Sequence, residues 1–285
     1  SSCLAMAGVE APKIDAIMVG SESHPYAVNP SSTIVAEALG FSKNYLAMDL
    51  EFACKAGTAG MQAMYGLVES GKINNGLVIG SDCAQARTHD VLEYTAGSGA
   101  GAFLIGRQNT LVDILDFCSY SSDTPDFWRR EGVLYPSHGG RFTGEPAYFE
   151  HVIGAANLLF EKTKTSPKDY DYCVFHSPNG KFPRSVAKKL GFTDTQLKPG
   201  FIVDKIGNPY SASSLLSLAA VLEVARPNQK IFLVSYGSGA GSDAFVLKTT
   251  PELINKRDKI KPISEFIKQK TYLSYIEMLK NEGKI

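Results

Sequence analysis

The chain has 285 residues, 44% of them hydrophobic and 20% charged, enough apolar material for a large buried core in an ordinary globular protein. Its 29 basic and 29 acidic residues cancel, which gives no overall electrostatic case for nucleic acid, and no apolar run approaches membrane-spanning length. The five cysteines, Cys3, Cys54, Cys83, Cys118 and Cys173, are odd in number and scattered through mostly apolar strands. That pattern suits a reducing compartment, and the cytoplasm is the expected location.

Residues 1–9 read as the end of a helix entering a strand, too short and too polar at the start for a secretory signal. Pro12 to Val19 is a short apolar run bounded by polar residues, which is how a buried strand reads, and it leads into Gly20-Ser21-Glu22. Behind Cys54, residues 58–70 form a helical pattern rich in Ala, Met and Leu; Gly71-Lys72 breaks it and Leu77-Val78-Ile79 returns as a strand. The glycine-rich turn Gly97 to Gly101 then opens a further strand through Ile105. A second helical pattern covers residues 147–163, and Pro167 to Phe175 repeats the strand design, leading into His176-Ser177-Pro178. Ser211 to Ala225, behind Asn208, is again helical; Pro227-Asn228 breaks it, Ile231 to Val234 is a strand, and Gly237 to Gly241 opens a last one through Leu247. Residues 250–285 are lysine-rich and amphipathic, with Phe266, Tyr272, Tyr275, Ile276 and Leu279 punctuating the charges. A surface helix folded back on its own domain is expected there, with a partner-docking helix as the alternative.

Glu22 and Cys54 stand 32 positions apart, and so do His176 and Asn208. An offset of 154 residues, from 22 to 176 and from 54 to 208, is too long for a solenoid and marks duplication of a whole half-domain. The expected units are 1–110, 111–249 and a carboxy-terminal extension at 250–285. The second half has a helical pattern before its strand where the first has almost nothing, so an opening strand and most of an opening helix of half one are expected to be lacking. Strands alternating with helices argue for an α/β fold with largely parallel sheets. The helices behind Cys54 and Asn208 carry almost no charge, as helices buried between two halves should.

Cys54 lies among small residues at a helix start, where backbone N–H groups favour a thiolate; it is the expected nucleophile, against the plainer reading of an inert buried thiol. His176 ends an apolar strand where a ring can face a cleft, or else it is a satisfied core histidine. Asn208 sits in a Gly-Asn-Pro turn, and its equivalence to Cys54 raises it to an active-site hydrogen-bond donor. A carboxylate at the mouth of a buried strand is costly unless used, which makes Glu22 a candidate general base. No Cys/His set has metal-ligand spacing. The glycine-rich turns lead into strands, so hairpin geometry explains them better than nucleotide binding, and an N–H near Ser238 could line an oxyanion pocket.

Taken in order, Glu22, Asp49 to Gly57, Asp126-Phe127-Trp128-Arg129, Phe175 to Lys181, Gly207 to Ser211 and Ser235 to Gly239 resemble hydroxymethylglutaryl-CoA synthase of the archaeal type, in the thiolase superfamily. The similarity runs from about residue 8 to the closing Gly283-Lys284-Ile285. Pro209 and Ala212 depart from it, where Thr and Gly are expected, which implies a small shift of the Asn208 turn. The resemblance implies a five-layered αβαβα fold, a homodimer, and condensation of acetyl-CoA with acetoacetyl-CoA in the mevalonate route, with CoA thioesters as substrates and no cofactor. It also implies partnership with acetoacetyl-CoA thiolase and a small zinc-ribbon/OB-fold protein. Cys54 would carry the acetyl group, Glu22 would deprotonate it, His176 and Asn208 would hold the acetoacetyl carbonyl, backbone N–H groups at Cys54 and near Ser238 would hold the thioester oxygen, and Lys181 would meet the CoA phosphates. The competing readings are a CoA-primed ketoacyl synthase, against which Glu22 argues, and a catalytically silent scaffold subunit.

Overall fold

The computed structural model describes residues 2–83, 86–259 and 261–285; Ser1, where the reading of the first segment begins, lies outside them. Helix α1 (Ser2–Ala7) leads into β1 (Ala16–Gly20), every residue of which is buried. After α2 (Ser31–Leu39), strand β2 (Leu46–Leu50) pairs in parallel with one side of β1. Helix α3 (Ala56–Glu69) crosses back, and β3 (Asn75–Asp82) pairs in parallel with the other side. Strand β4 (Gly99–Gly106) closes the sheet antiparallel to β3, giving the order β2-β1-β3-β4.

The second sheet begins at its edge with β5 (Val112–Ser121), followed by a small ribbon of β6 (Phe127–Trp128) and β7 (Ser137–His138). Helix α4 (Phe149–Thr163) and β8 (Tyr172–Phe175) come next, then α5 (Phe182–Leu190), α6 (Asp194–Leu197), α7 (Val203–Ile206) and α8 (Ser213–Val224). Strands β9 (Lys230–Val234) and β10 (Gly241–Thr249) complete the order β5-β10-β9-β8. β8 and β9 are parallel, as β1 and β3 are, and β10 is antiparallel to β9, as β4 is to β3. The repeat read from the sequence is therefore a repeat of strand directions.

Helices α3 and α8 touch one another and lie between the sheets; α1 and α2 cover the far face of the first sheet, and α4 and α5 that of the second. This is the five-layered αβαβα arrangement. Its core has three parts: a central one around Met18, Met61, Leu215 and Phe245, and an outer one on each side, around Ile17 and Leu77 in the first half and Tyr148 and Phe232 in the second. The lack of charge in α3 and α8 is explained by this sandwiching, because a charge between two sheets would lose its hydration without a guaranteed partner.

The extension differs from a single folded-back helix. Pro251 and Pro262 cap successive short helices, α9 (Glu252–Arg257) and α10 (Ile263–Lys268), and Ser274 starts a third, α11 (Tyr275–Asn281), with a capping box to Glu277. It does fold back on the chain: Leu253 and Leu279 are buried, Tyr275 Oη donates to Glu93 at 3.1 Å, and Lys284 Nζ donates to the Ala86 carbonyl at 2.9 Å.

The start of α8 approaches the first sheet so closely that a Cβ on Gly80 would stand 2.4 Å from the Ser211 carbonyl oxygen and 2.8 Å from Leu215 Cδ1. Backbone cannot yield as a flexible side chain can. Gly80→Ala is expected to lower stability by about 1–3 kcal/mol, measured by urea denaturation, because it pushes on the turn that leads from Asn208 into α8.

Candidate active site

Parallel strands β1 and β3 end side by side, with Gly20 opposite Gly80, so the residues just beyond them converge. Beyond β1 lie Ser21, Glu22 and Ser23; at the end of β3 lies Asp82, buried to 2% exposure. Asp82 Oδ1 accepts from Ser21 Oγ at 2.7 Å, the Glu22 backbone N–H at 2.8 Å and Ser23 Oγ at 2.6 Å. Its Oδ2 accepts the Ser211 N–H at 2.8 Å, from the other half of the molecule. Ser211 Oγ in turn donates to the Gly20 carbonyl at 2.9 Å. The strand-end loop of one half and the helix start of the other are thus held on one carboxylate.

Cys54 sits in a 3-10 turn (Ala53–Lys55) immediately ahead of α3, with Ala53 at φ +43°. Its Sγ donates to Glu22 Oε2 at 3.6 Å. Arg129 closes the other side of the loop, its guanidinium donating to the Glu22 carbonyl oxygen at 3.1 Å. The Gly237–Gly241 turn, which carries Ser238, presses on the Cys54 turn so tightly that a Cβ on Gly237 would lie 2.6 Å from the Phe52 carbonyl oxygen.

His176 follows β8 and is 1% exposed; its N–H donates to the Val234 carbonyl and its carbonyl accepts from Tyr148 Oη at 2.8 Å. Its ring centroid is 6.3 Å from that of Tyr236, whose hydroxyl donates to the buried Asp126 carboxylate at 2.8 Å. Asp126 also accepts from the Gly239 N–H, so it fixes both Tyr236 and the Ser238 turn. Asn208 is clamped by a parallel bridge to the first half: its N–H donates to the Thr95 carbonyl at 2.7 Å and its own carbonyl accepts from the Gly97 N–H at 2.9 Å. Asn208 Oδ1 is taken by the Tyr210 N–H at 2.9 Å, which leaves the side-chain NH₂ as the group free to donate. Lys181 stands apart, exposed at the start of α5, with its N–H held by Asn179 Oδ1.

The electrostatics correct one expectation. A helix start was expected to favour the Cys54 thiolate, but burial, followed by the charges of Glu22, Asp82 and Asp126, pushes the thiol well above its usual range. Desolvation and three carboxylates outweigh the few N–H dipoles of a short turn. Burial and then the Asp82 charge push Glu22 up to about 8, with the Cys54 hydrogen bond and Arg129 opposing. Burial alone drops His176 to about 3, so its imidazole is neutral near pH 7. At rest the site holds a thiol, a carboxyl poised near neutrality and a neutral imidazole.

Asp82, Asp126 as a holding group, Arg129 and Tyr210 have no assigned role in the sequence reading. Tyr210 is 3% exposed with φ +47°, its hydroxyl has no partner, and it feels the charges of Glu22 and Cys54. The signal available for Asp82 is its place: it ends an apolar strand as Glu22 nearly does. Among the described residues, no group of three or more His, Cys, Asp or Glu side chains is gathered to hold a metal ion.

Residues 48–122 and 160–249 match the family models described as 3-oxoacyl-[acyl-carrier-protein (ACP)] synthase III and its C-terminal part. Hydroxymethylglutaryl-CoA synthases of Methanosphaera stadtmanae and Methanobrevibacter smithii are each 56% identical over 282 residues, covering 99% of this chain and 82% of the relative. The chain belongs to the hydroxymethylglutaryl-CoA synthase family. The corresponding protein of Methanopyrus kandleri is 52% identical over 284 residues, 100% of this chain and 81% of its own. Two solved structures share the fold: one described as MvaS in complex with 3-hydroxy-3-methylglutaryl coenzyme A (TM-score 0.89, 23% identity, 100% of this chain and 78% of that one), and an HMG-CoA synthase complexed with CoA (TM-score 0.86, 24% identity, 97% and 73%).

If Glu22 is the general base, the step it serves needs the ionised carboxylate, and its rate is expected to rise with pH through about 8. Asp82→Asn removes a charge that holds that carboxyl up, so the rising limb of the pH–rate profile should move to lower pH; a limb that stays in place counts against the coupling.

Proposed function

We propose that this chain condenses acetyl-CoA with acetoacetyl-CoA to 3-hydroxy-3-methylglutaryl-CoA through an acetyl group on Cys54. The observation that carries this is the contact of Cys54 Sγ with Glu22 Oε2, which puts a nucleophile and a carboxyl base on one reacting centre. Cys54 sulfur attacks the acetyl thioester, its bond to carbon forms as the CoA sulfur leaves, and the thiol proton ends on CoA. Ionised Glu22 then takes a proton from the acetyl methyl, and the resulting enolate carbon attacks the ketone of acetoacetyl-CoA. The ketone oxygen becomes an alkoxide, hydrogen-bonded by His176 and the Asn208 NH₂, and is protonated from Glu22. Water finally hydrolyses the Cys54 thioester, releasing a free carboxylate and restoring the thiol. A neutral imidazole suits His176 to hydrogen bonding rather than to delivering a full positive charge. Cys54 and Ser238 backbone N–H groups hold the thioester oxygen, and Lys181, at the surface, meets the CoA phosphates.

Residues 1–110 and 111–249 are two thiolase-like halves and 250–285 an extension added to them. A homodimer is favoured by β2, an edge strand with Leu46 and Met48 exposed at 42% and 37%. Partnership with acetoacetyl-CoA thiolase and a zinc-ribbon/OB-fold protein is what the family resemblance implies, and the exposed Tyr272, Leu273 and Ile276 of the extension offer a surface for it. No helix among the described residues is long and apolar enough to cross a membrane, and the five cysteines are all free, which supports a cytoplasmic location.

Intact-mass measurement after incubation with acetyl-CoA is expected to show acetylation at Cys54, abolished in Cys54→Ala; acetylation elsewhere sinks the reading. Glu22→Ala should still acetylate, because removing that charge also eases ionisation of the thiol, but condensation from preloaded acetyl-enzyme should fall by about 10² to 10⁴. Leu46→Lys with Met48→Lys is expected to convert a dimer to monomer in sedimentation velocity; a parent chain that is already monomeric rules the dimer out.

A further inference from the structure

Lys55, the residue after the nucleophile, is a charged side chain only 4% exposed. Its Nζ donates to Asp243 Oδ1 at 2.8 Å, across the boundary between the halves, and Asp243 is 0% exposed. Ser119 Oγ donates to the same oxygen at 2.8 Å, and Thr58 Oγ1 lies 2.8 Å from Oδ2. Thr58, on α3, also meets Ser235 Oγ at 2.7 Å, and Ser235 accepts the Asp243 N–H. The ammonium stands 3.8 Å from the centre of the Phe52 ring, while the Lys55 stem underlies the glycine turn: a Cβ on Gly237 would be 2.9 Å from Lys55 Cγ. One side chain therefore touches both the turn bearing Cys54 and the turn bearing Ser238.

A buried ion pair is a poor stabiliser, since desolvation offsets most of the attraction, but it fixes distance and direction well when every acceptor is satisfied. The turn it anchors needs fixing. Ala53 occupies the left-handed region at φ +43° without being glycine, a conformation that persists only when its surroundings hold it.

We propose that Lys55 and Asp243 are a positioning pair for acyl transfer, locking the Cys54 turn of one half against the Ser238 turn of the other so that attack and thioester-oxygen binding occur in register. This rests on the acetyl-Cys54 reading above. Neither residue touches substrate; both act through the backbone on either side of the reacting carbonyl.

The test uses the full chain carrying Lys55→Met together with Asp243→Asn, which removes both charges at once and avoids stranding either. Acetylation of Cys54 by acetyl-CoA in single turnover is expected to fall about 10²-fold, the scale of a misplacement near 1 Å, with KM for acetyl-CoA little changed. Alkylation of Cys54 by iodoacetamide needs no carbonyl-oxygen pocket, so it should keep its rate. Acetylation at the parent rate overturns the proposal, and so does a fall in acetylation and alkylation together, which marks a general loss of structure. If the double variant fails to fold, Ser119→Ala decides: it loosens Asp243 from the sheet edge and should slow acetylation several-fold without changing alkylation, and an unchanged rate overturns the proposal. A parent chain that never acetylates at Cys54 instead refutes the functional reading on which the pair depends.

Discussion

The geometry of the site depends on one buried carboxylate with four donors from two halves. Asp82 holds Ser21, the Glu22 backbone and Ser23 from the first half and the Ser211 N–H from the second. A group with its charge removed from water must be surrounded by donors or it unfolds its own neighbourhood. Here that requirement is met only when the two halves are seated together, so assembly of the sandwich and assembly of the active site are the same event. The bare Gly80 and Gly57 surfaces permit the approach, because any Cβ there would meet the start of α8.

The same carboxylate adds to what burial does to the protonation of its neighbours. Burial first, and then the charges of Glu22, Asp82 and Asp126, keep the Cys54 thiol protonated at rest. A thiol with this resting state relies on stabilisation of the oxygen of its target more than on a standing thiolate. Glu22 is pushed up to about 8 by burial and then by Asp82. That places its protonation change where a proton can be taken and returned within one catalytic cycle. His176, neutral by burial, adds hydrogen bonding without adding a charge that would pin Glu22 in its ionised form.

The two halves have kept a common frame and diverged at its ends. β8, β9 and β10 repeat the directions of β1, β3 and β4, but the first sheet adds β2 on one side and the second adds β5 on the other. The equivalent strand ends carry Glu22 in one half and His176 in the other, and the equivalent helix starts carry Cys54 and Asn208. Duplication supplied four positions at equivalent element ends, and divergence gave each a different side chain.

The sequence by itself determined the repeat, the alternation of strands and helices, the burial of α3 and α8, and the placing of Glu22, Cys54, His176 and Asn208 at element ends, because each of these is written in local apolar pattern and turn residues. The helix over 58–70 is found as Ala56–Glu69 and the strand at 231–234 as Lys230–Val234, shifts of a residue or two at frayed ends. The extension was less legible, since its periodicity continued across Pro262 where the backbone could not. What only the tertiary structure decided were the contacts between residues far apart in the chain: Asp82 with Ser211, Lys55 with Asp243, and Tyr236 with Asp126. It also decided the protonation states, because a helix start promises a thiolate locally while desolvation and neighbouring charges are set by everything packed around it, and at Cys54 the packing prevails.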